Sequence, residues 1–267
     1  YEIGSGLVGS EMCIRDRQKE DKMKIFDRIK FIVFIVNIVL LLALIAMDVV
    51  YIIKGTLTIK GVTSAIFVVI GLVNLGLAIN EKVELKFPII MMIGLVFAML
   101  GDVLLEVEFI VGALFFAIGH IFFFVSYIFL NSFSWKDLIY GAVIFLPSML
   151  FIVLAPIFEF DGILMELVCV IYALIISFMV GKAVANLVRE RSILNIIITI
   201  GSVMFFLSDL MLLLGTFASL PVVGIICLAL YYPAEFLLAF SILVYVLFTK
   251  KEQMPVKAGN EKAGAER

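Results

Sequence analysis

Cut at its charged and Pro/Gly-containing breaks, the chain falls into eight apolar blocks, near residues 31–52, 62–79, 87–105, 109–130, 138–157, 162–181, 193–214 and 222–248. A helix rising about 1.5 Å per residue needs roughly 20 apolar residues to cross a hydrocarbon layer about 30 Å thick, and each block is of that order. Several connections between blocks are very short. The pattern predicts an all-α polytopic membrane protein of about eight transmembrane helices, forming a single helical domain over residues 23–249.

Composition agrees with the pattern. The chain is 64% hydrophobic and only 16% charged, with a mean hydropathy of +1.22, values that exclude a separate soluble domain. A net charge of −2 adds little, because the charges mostly mark loops, and no nucleic-acid partner is expected. Residues 250–267 read as a disordered polar tail. At the other end, Leu7-Val8-Gly9-Ser10-Glu11-Met12-Cys13-Ile14-Arg15-Asp16 reads as one frame of a common sequencing-library adapter. Residues 1–22 are therefore expected to be a cloning or assembly scar, with Met23 as the native start and no cleavable signal. Cys13 belongs to that segment, and Cys169 and Cys227 lie in apolar runs, so no disulfide framework or metal spacing is present.

Cations set the expected orientation, since Lys and Arg stay on the cytoplasmic side. Lys24, Arg28 and Lys30, then Lys82 and Lys86, Lys136, Lys182, Arg189 and Arg191, and Lys250 and Lys251 fall on one side; Lys54, Lys60, Glu106, Glu108, Glu159 and Asp161 fall on the other. Both termini are thus expected in the cytoplasm of a bacterial cell, with the chain in its inner membrane. Trp135 beside Lys136 reads as an interface anchor.

Two aspartates interrupt apolar blocks: Asp102 in Leu100-Gly101-Asp102-Val103-Leu104-Leu105 and Asp209 in Leu207-Ser208-Asp209-Leu210-Met211-Leu212. A carboxyl in a membrane span costs several kcal/mol, so it marks a site by default. The two segments echo each other, in the third and seventh blocks. Two four-helix halves related as a parallel repeat would produce that echo, because four crossings return the chain to its starting side. Both carboxyls then sit at matching depth in the outer half. Lys60 opens the second block on the same side, while the only histidine, His120, and Tyr231, Tyr232 and Glu235 lie somewhat deeper. Glu106 follows Asp102 by one turn.

With these residues in view, the chain resembles the lysoplasmalogenase-like YhhN membrane proteins. The matching segments are Leu100–Leu105, Gly112-Ala113-Leu114-Phe115-Phe116-Ala117-Ile118-Gly119-His120-Ile121-Phe122-Phe123, Phe206-Leu207-Ser208-Asp209-Leu210 and Tyr231-Tyr232-Pro233-Ala234-Glu235-Phe236-Leu237-Leu238-Ala239. Lys60-Gly61-Val62-Thr63 is similar to the family's Lys-Pro-x-Thr entry to the second span, with glycine for proline, and Glu235 stands where relatives carry glutamine or histidine. The resemblance implies hydrolysis of the vinyl ether bond of a lysophospholipid, a lysoplasmalogen, to a fatty aldehyde and a glycerophospho-headgroup. No cofactor and no metal are expected, and the expected partners are that substrate and membrane lipids. Vinyl ether hydrolysis runs through protonation at the β-carbon and capture of an oxocarbenium ion by water, which two carboxyls in a dry pocket are suited to serve. Asp102 and Asp209 are the expected acid/base pair and His120 a proton relay, with Tyr231, Tyr232, Glu235 and Lys60 on the substrate.

Three other readings compete. Two membrane aspartates and Tyr232-Pro233-Ala234 faintly echo intramembrane aspartyl proteases, but Leu100-Gly101-Asp102 lacks the Gly-x-Gly-Asp signature. Asp102, Glu106, His120, Asp209 and Glu235 are hard ligands for a metal-dependent hydrolase. Paired carboxyls with His120 also suit a proton-coupled transporter, although they lie nearer the outer surface than the bilayer midplane. The proposed orientation is testable by cysteine labelling in intact cells: a cysteine beside Glu108 should react with an impermeant maleimide and one beside Lys136 should not. External reaction near Lys136 reverses the topology.

Overall fold

The computed structural model describes residues 5–218, 220 and 222–253, with side chains described over 28–249 apart from 219 and 221. The eight described helices are α1 (Ser5–Lys54), α2 (Leu57–Asn80), α3 (Lys86–Leu105), α4 (Phe109–Leu130), α5 (Asp137–Leu154), α6 (Ile163–Arg189), α7 (Ile193–Phe217) and α8 (Val223–Gln253). All are long and apolar enough to span a membrane, α1 through its Arg28–Lys54 part. The side chains of the expected adapter segment, 1–22, and residues 254–267 of the expected tail lie outside the described residues.

Local chemistry explains the short connections. Gly55 takes φ +58°, a left-handed turn open to glycine without steric cost, and α1 hands over to α2 within two residues. The Glu108 carboxylate accepts hydrogen bonds from the amides of Ile110 (3.2 Å) and Val111 (2.6 Å), so only three residues separate α3 from α4. Two boundaries differ from the apolar blocks. Helix α2 begins at Leu57, which places Lys60 inside its first turn rather than ahead of it. Helix α6 continues to Arg189, so Lys182 is a buried helix residue. Its ammonium donates to the carbonyls of Asn131 (2.7 Å) and Ser132 (3.3 Å) and to Asp137 (2.9 Å), which also pairs with Arg189. Burial is tolerable there because the charge is matched and its donors are used.

Six helices close a ring in the order α2, α3, α4, α6, α7, α8, while α1 lies outside against α2 and α8 and α5 lies outside against α6 alone. The neighbours obey a shift of four: α1–α2 repeats as α5–α6, α2–α3 as α6–α7, α3–α4 as α7–α8, and α4–α6 as α8–α2. Glycines repeat it in register. Gly94 and Gly201 each precede an aspartate, Asp102 and Asp209, by eight residues. A Cβ on Gly119 would stand 3.2 Å from the Gly94 carbonyl oxygen, and one on Gly201 would stand 3.3 Å from that of Ala234. Such crossings need small residues because backbones approach without an intervening side chain.

The repeat is imperfect at one place. Helix α8 packs on α1 and α3, yet α4, its counterpart, has no Cα within 8 Å of α5 or α7 among the described residues. On the first side the space is closed by hydrogen bonds, Asn37 and Asn74 exchanging amides at 2.8 and 2.9 Å while Asn74 donates to the Ala239 carbonyl at 3.0 Å. On the second, α4 and α7 meet through long side chains, Phe116 and His120 against Phe205 with ring centres 5.9 and 4.6 Å apart.

Another close approach of α3 and α4, at Gly112, gives a paired test. A methyl on Gly112 would lie 2.5 Å from the backbone of Leu105, whereas one on Gly76 meets nothing within 4 Å. Gly112→Ala should destabilise the protein by about 1–3 kcal/mol, and Gly76→Ala should be neutral or stabilising by up to about 1 kcal/mol. Thermal unfolding in detergent decides. Equal melting temperatures for the two variants would remove the α3–α4 approach as a constraint.

Candidate functional site

Each helix of the ring supplies one or more polar side chains to the half of the bundle in which α2 begins and α3 ends: Lys60 and Ser64 from α2, Asp102 from α3, His120 from α4, Tyr172 from α6, Asp209 from α7, and Tyr231 and Tyr232 from α8. They form two clusters. In the first, Lys60 and Asp102 are both nearly inaccessible, at 4% and 3% exposed. Lys60 Nζ lies 3.2 Å from Asp102 Oδ1, and Asp102 Oδ2 accepts hydrogen bonds from the Ser64 hydroxyl and from Tyr232 Oη at 3.1 Å. One ammonium and two hydroxyls aimed at one carboxyl make a setting for a carboxylate anion. Ser64 is one helical turn beyond Lys60, so α2 presents both on one face.

In the second cluster, Tyr172 Oη donates to Asp209 Oδ2 at 2.6 Å and lies 2.9 Å from His120 Nε2, which is itself 3.3 Å from Asp209 Oδ2. The phenol has one proton. While it is given to Asp209, Nε2 of His120 is the donor to the phenol oxygen, and Nδ1, buried without a partner, is left a lone pair. The reverse direction would strand an N–H there, the costlier orphan. The imidazole is fixed by the edge of Phe205, with ring centres 4.6 Å apart. These three side chains form a hydrogen-bonded chain along which a proton can pass.

Both clusters face one cavity of about 310 Å³, lined among others by Tyr51, Lys60, Asp102, Glu106, Asp209 and Tyr231. The expected juxtaposition of the two aspartates is therefore present, with His120 reaching the cavity through Asp209 and Tyr172. At the mouth of the cavity, Lys60 Nζ donates to Glu106 Oε1 (2.7 Å), as does Tyr51 Oη (2.8 Å). Glu106 is half-exposed and is the link between Lys60 and solvent. Burial alone would raise its carboxyl, but the hydrogen bond and charge of Lys60 outweigh that and hold it below the usual glutamate range.

Glu235 stands apart. It is wholly buried one turn beyond Tyr231 on α8, neither oxygen has a hydrogen-bond partner, and it does not line the cavity. Tyr231 does line it, its ring packed edge-on against Phe116, Phe205 and Tyr232. Among the described residues no three His, Cys, Asp or Glu side chains gather as metal ligands do, so Asp102, Glu106, His120, Asp209 and Glu235 do not form one such group.

Tyr172, Ser64, Tyr51 and Asp48 are not among the residues the sequence pattern singles out. Asp48 carried the same signal as Asp102, a carboxyl inside an apolar block; it is buried on α1 and within electrostatic range of Asp102. Tyr172 is one tyrosine among 33 Phe and Tyr residues (25 Phe, 8 Tyr), and nothing in its local sequence separates it from a packing ring.

A profile of the YhhN family matches residues 55–242, from the turn before α2 to the middle of α8. No curated protein and no solved structure matches the chain.

The mouth of the cavity predicts a pH dependence. A carboxyl held low contributes stability that is complete above its ordinary value of 4.5 and is lost as pH falls through the lower, folded value. Glu106→Gln should therefore melt below the parent protein at pH 7, and the gap should close as pH drops below about 4.5. Melts in detergent across that range test it; a gap that persists or widens in acid disconnects Glu106 from Lys60.

Proposed function

The chain belongs to the YhhN family, and we propose that it is a membrane hydrolase that cleaves the vinyl ether bond of lysoplasmalogens. One observation carries the reading: two carboxyls with different partners line the same cavity, Asp102 matched to an ammonium and Asp209 ending a proton-carrying chain. Pairs of carboxyls held in unlike environments divide acid and base roles in other hydrolases that pass through oxocarbenium-like states.

The roles follow from those partners. A proton held on the His120–Tyr172–Asp209 chain goes through Asp209 to the β-carbon of the vinyl ether, and the positive charge develops on the α-carbon and ether oxygen. Asp102, paired with Lys60, faces that charge and takes a proton from the water that attacks the α-carbon. The product is a hemiacetal. Asp102 then returns its proton to the ether oxygen as the C–O bond breaks, and Asp209 takes the hemiacetal hydroxyl proton. Aldehyde and alcohol leave, and both carboxyls are restored. Lys60, shared between Asp102 and the half-exposed Glu106, is placed to receive the headgroup phosphate.

Aldehyde release from a lysoplasmalogen by the purified protein is the direct test. Asp102→Asn and Asp209→Asn should each lower it by roughly two orders of magnitude or more, the scale of general acid–base effects. The double variant should lose much less than the product, because the two act as one unit. A lysophospholipid with a saturated alkyl ether should bind and stay intact. Full activity in either folded asparagine variant would return that aspartate to a structural role.

A further inference from the structure

The gap left by the broken repeat is open space. Between α4, α5, α6 and α7 lies a narrow recess of about 80 Å³ whose walls include Ala113, Phe151, Cys169, Ala173 and Ile176. Its lining is apolar except for Ser148, Tyr172 and Asp209. Four residues, Leu105, Phe116, Asp209 and Leu212, line both this recess and the polar cavity. Asp209 thus stands in the partition between a compartment with a polar lining and one with an apolar lining.

The two compartments also open differently. The polar cavity reaches the outer surface at Tyr51 and the half-exposed Glu106. The recess reaches the lipid-facing side at Phe151, which is 39% exposed on a helix that packs only on α6. From Val168 to Ile176 the recess follows α6 for eight residues, about 12 Å.

We propose that the recess holds the head-proximal part of the aliphatic chain of a single-chain lipid, which enters from the bilayer past Phe151 while its polar head occupies the cavity at Lys60. The occupant must be polar at one end and apolar at the other, because one continuous molecule has to suit both linings. A recess this narrow takes one chain and excludes a two-chain lipid. The joint between head and chain then lies at Asp209, where a lysoplasmalogen carries its vinyl ether. This deepens the proposed function and rests on it for the identity of the bond at the joint, but chain binding does not require cleavage.

The test uses a saturated alkyl-ether lysophosphatidylethanolamine with a diazirine a few carbons from the ether, photolysed on the full-length protein in detergent and mapped by mass spectrometry. Labelling should fall on recess walls in α4, α6 and α7, such as Ala113, Ala173 and Phe206, and be competed by the unlabelled ether. Ala173→Phe, which fills the recess, should cut that labelling at least tenfold; Ser148→Leu, at the recess rim on α5, does the same should Ala173→Phe fail to fold. Competable labelling of the walls with no aldehyde release from lysoplasmalogen leaves the recess in place and sinks the hydrolase. Label confined to lipid-facing positions of α1 or α2, or unchanged in both folded variants, overturns the recess whatever the aldehyde assay shows.

Discussion

Lysine beside aspartate inside a bilayer is the constraint around which the site-bearing half of this protein is organised. Lys60 and Asp102 are almost fully buried and 3.2 Å apart. Taking either charge out of water alone would cost several kcal/mol, so neither is tolerable without the other and without donors for the remaining oxygen. Ser64 and Tyr232 supply those donors. Three helices, α2, α3 and α8, are therefore held at fixed depth and rotation by one carboxyl. Removing Lys60 would leave the Asp102 carboxylate uncompensated in hydrocarbon, a penalty that specifies the arrangement more sharply than apolar contacts between helices do.

The second half of the repeat solves the same problem with other groups. Asp209 occupies the position of Asp102, eight residues after a glycine at the helix crossing, but its partners are a phenol and an imidazole. Among the described residues no ammonium pairs with it. The same backbone geometry thus carries two carboxyls with different electrostatic settings, and that difference is what an acid/base division needs. Packing departs from symmetry in the same region: α1 closes the side of α8, whereas α5 stands clear of α4. Space, polarity and access to lipid all arise where the repeat is broken.

Much of this was legible in the chain. Eight apolar spans, the two marked aspartates and their repeat follow from hydropathy and from the cost of a carboxyl in a span, both of which are local properties. Asp102, Asp209, Lys60, Tyr231 and Tyr232 were each visible as polar or aromatic features, the carboxyls at matching depth and the tyrosines somewhat deeper, and four of the five line the cavity while Tyr232 holds Asp102. Glu235 was equally conspicuous, yet it points into buried space away from the cavity. Depth along a helix can be counted in residues, but rotation about its axis is set by the neighbour it packs against.

For the same reason the partner of each aspartate belongs to tertiary structure. Ser64 and Tyr172 are 38 and 37 residues from the carboxyls they serve, and no spacing rule connects residues on different helices. The sequence by itself determined how many times the chain crosses, which positions are too costly to be idle, and that two halves share a pattern. Only the folded ring decided that Lys60 faces Asp102 while His120 faces Asp209, and that one side of the repeat stays open. Those outcomes depend on which helices touch, and contact is a property of the assembled bundle.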